Sequence, residues 1–172
     1  MTTRINVLFV CILIATSSNG AAPIPVDTGA SATQIRISLI ATSVSNSLRR
    51  SEPLPREMLA DKIEVRHVPA MQGDPEIIDK QQFGSDLPAL KRALKDFHMD
   101  VVSTALEANA FTVKLTLVGT RVSGVRYSSP MSLRFIVADG VITGLDAAQD
   151  PAERALLGEI AAEGEFRTPP RD

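Results

Sequence analysis

The stretch "MLADKIEVRHVP", Met58 to Pro69, runs from a mixed segment into a short apolar-polar alternation and stops on a proline. Ile63, Val65 and His67 fall on one face, and Glu64, Arg66 and Val68 on the other. The alternation predicts a strand, ended by Pro69 because proline has no N–H to give to a ladder. A histidine on the face of Ile63 and Val65 has two readings. It points into a pocket and handles protons, or it is a structural residue satisfied by a backbone carbonyl or by water.

Upstream, "ATQIRISLIATSVSNSLRR", 32–50, places Ile35, Leu39, Ile40, Val44 and Leu48 near helical spacing, which makes them core candidates of a helix. Its β-branched residues and serines weaken the intrinsic helix preference. "SEPLPREMLAD" then predicts a proline-bounded short helix carrying Leu54, Met58 and Leu59. After the strand, "AMQGDPEIIDKQQFG" reads as an irregular loop with two turn signals. Ser85 or Asp86 caps an amphipathic helix, "DLPALKRALKDF", with Leu87, Leu90, Leu94 and Phe97 in one stripe.

The C-terminal half reads as a meander of four strand-like segments, "MDVVSTALEA", "AFTVKLTLVGTRV", "YSSPMSLRFIVADG" and "VITGLDAAQD". Phe111, Val113, Leu115 and Leu117 share one face of the second; Met131, Leu133, Phe135 and Val137 share one face of the third. Antiparallel strands of this length predict a curved sheet with one apolar, concave side. Pro151 opens a terminal helix carrying Leu156, Leu157 and Ile160, and residues 164–172 are expected to form a flexible tail.

The N-terminus differs in kind. Arg4 precedes the apolar run "VLFVCILIA", Val7 to Ala15, and small, polar residues follow it. This is the anatomy of a secretory signal peptide, assigned to residues 1–20, with a flexible leader over 21–31 and one domain over 32–163. Nine apolar residues are too few for a bilayer core that needs about 20, so no stable membrane anchor is expected. A secreted or periplasmic location follows from that assignment. Removing residues 1–20 also removes the sole cysteine, Cys11, so no disulfide or cysteine-ligated metal is expected.

The remaining charge, 17 Lys and Arg against 20 Asp and Glu, is interspersed and indicates no nucleic-acid surface. Two histidines 31 residues apart match no usual metal-ligand spacing, and "VGTRVSG" joins strands rather than opening a helix, which fails the test for a phosphate loop. No cofactor is expected.

Taken together, "MLADKIEVRHVP", "LTLVGTRVSG" and "LRFIVADGVITGLDAAQD" resemble the nuclear transport factor 2-like superfamily, in particular its SnoaL-like and ketosteroid-isomerase-like branches, over about residues 32 to 150. The resemblance implies an α+β cone: a curved antiparallel sheet covered by N-terminal helices, with a blind pocket for a small hydrophobic or polycyclic molecule and a homodimer through the sheet face. It also sets His67 where the resembled isomerases carry a proton-shuttle acid. Their two acidic hydrogen-bond donors would fall near Ser43 or Val44 and at Met131, none of which is acidic. Histidine can shuttle protons near neutral pH.

The implied ligand contacts are Val65, Phe111, Met131, Leu133 and Phe135, with Asp100 a second candidate for the chemistry, as a carboxylate that orients a histidine. His98 reads as an exposed residue between helix and sheet, Arg134 as a solvated or cross-strand ion pair on the outer face, and Tyr127 as an edge residue beside a turn. Two functions stay open. One is proton-transfer catalysis such as isomerisation, cyclisation or dehydration with His67 as base; the other is a binding or dimerisation domain without activity.

Overall fold

The computed structural model describes residues 28–71 and 74–165. The expected signal peptide, Cys11, most of the leader and residues 166–172 of the tail lie outside the described residues. Helix α1 (Thr28–Arg49) is followed by a 3-10 turn (Arg56–Met58), strands β1 (Leu59–Val68) and β2 (Glu76–Asp79), and helix α2 (Leu87–Ala93). Strands β3 (Leu94–Leu106), β4 (Ala110–Arg121), β5 (Arg126–Ala138) and β6 (Val141–Ala148) precede helix α3 (Pro151–Glu165).

The six strands form one curved, unclosed sheet in the order β2-β1-β6-β5-β4-β3. β3 through β6 are an antiparallel meander, as the sequence predicts. β1 pairs in parallel with β6, which the alternation pattern alone does not reveal, and β2 adds to its far side from within the predicted loop. Register shifts in β3 at Lys95/His98 and Val101/Ser103, and between β5 and β6 at Ile136/Val137, are the irregularities through which such a sheet bends.

One face of the sheet is apolar and covered by the helices. Phe111, Val113, Leu115 and Leu117 of β4 and Phe135 and Val137 of β5 are buried there. The rings of Phe111 and Phe135, directly opposite in the ladder, stack at a centroid distance of 5.0 Å. From α1 the buried apolar residues are Ile37, Ile40, Ala41, Val44 and Leu48. Ile35 and Leu39, expected in the core, are instead exposed. At about 100° per residue, 37, 41, 44 and 48 make one stripe, and 35 and 39 fall on the opposite side of the helix.

Three further expectations change. The predicted short helix over Leu54 to Leu59 is only the 3-10 turn, and Leu59 already belongs to β1. The predicted stripe Leu87–Phe97 is split: the helix ends at Ala93, and Leu94 and Phe97 enter the core from a strand. Tyr127 is buried rather than at an edge. α3 starts where Pro151 predicts. The Asp150 carboxylate accepts from the Ala152 and Glu153 N–H groups at 2.9 and 3.3 Å, satisfying donors that the first turn leaves unpaired. α3 lies close on α2, and a Cβ placed on Gly164 would collide with the Ala89 carbonyl.

On the outer face, Arg134 donates to Glu107 at 2.8 Å and to Asp146 at 3.2 Å, and Thr112 donates to Glu107 at 3.0 Å. This cross-strand cluster has the form expected of Arg134. Among the described residues no helix is long and apolar enough to cross a membrane.

Candidate functional site

The alternation of β1 sets His67 on the core-facing side, opposite Ala147 of β6 and near the strand's end. Pro69 stops the strand, and the chain turns back toward β2 through Asp74. The Asp74 carboxylate meets the His67 ring at 2.8 Å, through Oδ1 to Nδ1. Its other oxygen accepts from the backbone N–H groups of Met71, at 2.6 Å, and of His67, at 3.2 Å. The side chain of Asp74 is 9% exposed and that of His67 25%.

These bonds settle the chemistry of the pair. The Met71 N–H, then the His67 ring, hold the Asp74 carboxyl below its usual range. An ionised carboxylate can only accept, so Nδ1 of His67 carries the hydrogen of this bond. The carboxylate behind the ring thus fixes both its tautomer and its orientation.

His67 borders a cavity of about 280 Å³ with Asp86, Leu90, Met131, Gln149 and Arg154. Three of these, Asp86, Leu90 and Met131, also line an apolar recess of about 190 Å³, whose further walls include Leu54, Phe83, Met99, Leu133 and Phe135. A chamber bearing a few polar side chains and a greasy recess thus abut across shared residues. On the chamber's polar side, the buried Gln149 amide donates to Ser129 at 2.8 Å. Tyr127, on the core-facing side of β5 two residues before Ser129, has its hydroxyl buried beside Ser129 and Gln149, and burial pushes its phenol up. It stays protonated.

Arg154, from the first turn of α3, lines the chamber and a second depression of about 480 Å³ on His67's other side. Its guanidinium touches the carbonyl oxygens of Gln149 at 3.2 Å and of Val68 and Pro69 at 3.4 Å.

Among the ligand contacts expected from the sequence, Met131 lines both chamber and recess, and Leu133 and Phe135 line the recess. Val65 and Phe111 lie in the packed core and border neither. Asp100 is on the outer face of β3, exposed, with its carboxylate 3.7 Å from His98 Nε2; it is not brought to His67. Val44 is buried, and Ser43 half-buried, in α1.

Sequence reasoning passed over Asp74, Gln149 and Arg154. A signal for Asp74 existed, because "GDP" marks a turn that brings the chain back within seven residues of His67. Nothing local marked Gln149 or Arg154. Among the described residues there is no group of three His, Cys, Asp or Glu side chains able to hold a metal.

No family model matches the chain, and no curated protein matches it. Solved structures do. A nuclear transport factor 2-like protein from Burkholderia thailandensis superposes with a TM-score of 0.56 at 14% identity, covering 70% of this chain and 95% of that one. AclR, a candidate hydroxylase from Streptomyces galilaeus, gives 0.55 at 13% identity, over 80% and 91% of the two chains. A candidate polyketide cyclase from Xanthomonas campestris pv. campestris gives 0.51 at 17% identity, over 74% and 98%. At such identities the likeness is one of fold. Helices packed over a curved sheet, in this strand order and with these neighbours, give the chain the nuclear transport factor 2-like fold, shared with SnoaL-like and ketosteroid-isomerase-like proteins.

Proposed function

We propose that this chain is an exported SnoaL-like pocket protein that binds a small hydrophobic or polycyclic molecule and moves a proton on it, with His67 as the base. The observation that carries this reading is the His67–Asp74 pair bordering a chamber that abuts an apolar recess. Apolar walls seat the ligand's body, and an imidazole with its free nitrogen available is placed to take a proton from a carbon acid. Isomerisation, cyclisation and dehydration all begin with such a step. Export rests on the Arg4 and Val7–Ala15 pattern, and pairing through the sheet face on the resemblance.

A second reading, binding without turnover, is favoured by Met131 and Val44, which stand where the resembled isomerases carry acidic donors for an enolate. Loss of such a donor costs about 10²- to 10³-fold. 2-Tetralone, an apolar ketone with acidic α-hydrogens, separates the two. Catalysis predicts that the protein speeds deuterium exchange at its α-carbon beyond the buffer rate, and that His67→Ala binds it but loses the exchange. Binding with no exchange leaves the second reading; no binding removes both.

A further inference from the structure

We propose that the ligand of this pocket is an apolar carboxylic acid and that Arg154 is the residue that reads its carboxylate. The inference rests on the pocket reading above and adds the chemical class of the ligand. Several cations among the described residues are matched: Arg134 has Glu107 and Asp146, Arg121 has Glu163, Lys62 has Asp79, and Lys80 has Asp61. Arg154 is different. Half-buried, it meets no carboxylate within ion-pair distance among the described residues and instead leans on three main-chain oxygens at 3.2 to 3.4 Å.

A guanidinium has five N–H donors in a planar fork suited to a carboxylate, and carbonyl contacts of that length leave most of this capacity unused. The same side chain borders the chamber that His67 faces and the depression beside it. Nearby carboxylates are committed elsewhere or face water: Asp74 is held by His67 and Met71, Asp150 caps α3, and Asp86 is exposed. A ligand acid would therefore supply the charge that the fold does not. Its apolar body would run past Leu90 and Met131 into the recess.

Calorimetric titration of the full chain with 2-naphthoate, 2-naphthalenemethanol and 2-naphthylmethylamine tests this. These probes share a body and differ in the head. The wild type is expected to prefer the acid to the alcohol by about tenfold or more, as a charge-assisted fork allows, and to bind the amine most weakly. Arg154→Gln should erase the preference by weakening the acid about tenfold or more relative to the alcohol.

Equal affinity for acid and alcohol in the wild type overturns the proposal while leaving the pocket intact. So does a preference that survives in Arg154→Gln. Failure of all three probes to bind overturns the pocket reading with it. The wild-type comparison needs no variant, so it decides even if Arg154→Gln does not fold.

Discussion

His67 meets Asp74 at 2.8 Å on the core-facing side of β1, whereas His98 stands 3.7 Å from Asp100 on the outer side of β3. The same two residue types make up both pairs. At the first, two backbone N–H groups pin the carboxylate, the side chains are 25% and 9% exposed, and a cavity lies in front of the ring. At the second, the side chains are 48% and 64% exposed, and the ring's Nδ1 is taken by the Asp96 carbonyl at 2.7 Å. A histidine and an aspartate two apart on one strand face meet only loosely in water, where such a pair contributes little. Chemistry needs the carboxylate to arrive from another segment and be held from behind.

The comparison breaks most sharply at His67. Replacing it with alanine should lower exchange at 2-tetralone by about 100-fold or more, the usual worth of a placed base, while binding of the ketone persists. Asp74→Asn should cost about 10- to 100-fold, because an amide can donate to Nδ1 and so release the favoured tautomer. Asp74→Asn has a second readout. The folded carboxyl titrates below its ordinary 3.8, so its contribution to stability is present above that value and is lost as pH falls through the folded one. Urea unfolding should show wild type more stable than Asp74→Asn at pH 7, with the gap closing in acid.

Gly164→Ala, away from both pairs, should destabilise by about 1 to 3 kcal/mol, since α2 and α3 must part to admit a methyl group. The drop in urea midpoint would measure it. Asp100→Asn should be nearly silent, within about 0.5 kcal/mol in stability and unchanged in exchange rate. A large effect there would erase the distinction between the two pairs.

What the sequence made legible follows where local periodicity decides structure. The alternation in β1, β4 and β5 assigned the buried faces, and with them the side on which His67 lies, because a period of two leaves no third choice. The period also failed where it was least constrained. In α1 the apolar residues are spread around the helix, so only the sheet beneath selects Ile37, Ala41 and Val44 over Ile35 and Leu39. Leu94 and Phe97 fit a helical stripe but are claimed by β3, whose pairing with β4 outweighs a weak helical preference. Half of the site was visible in His67, Met131, Leu133 and Phe135. Asp74 left only a turn signal, because it arrives through a loop, and Arg154 left none, because it comes from a helix about 87 residues downstream of His67.

With two histidines in the chain, long-range proton–nitrogen NMR of the imidazoles tests the central claim most directly. The ring whose signals vanish in His67→Ala should carry its hydrogen on Nδ1, and its Nε2 resonance should move on addition of 2-tetralone while that of His98 stays still. A His67 ring protonated on Nε2, or one that ignores the ligand while His98 responds, would contradict the account.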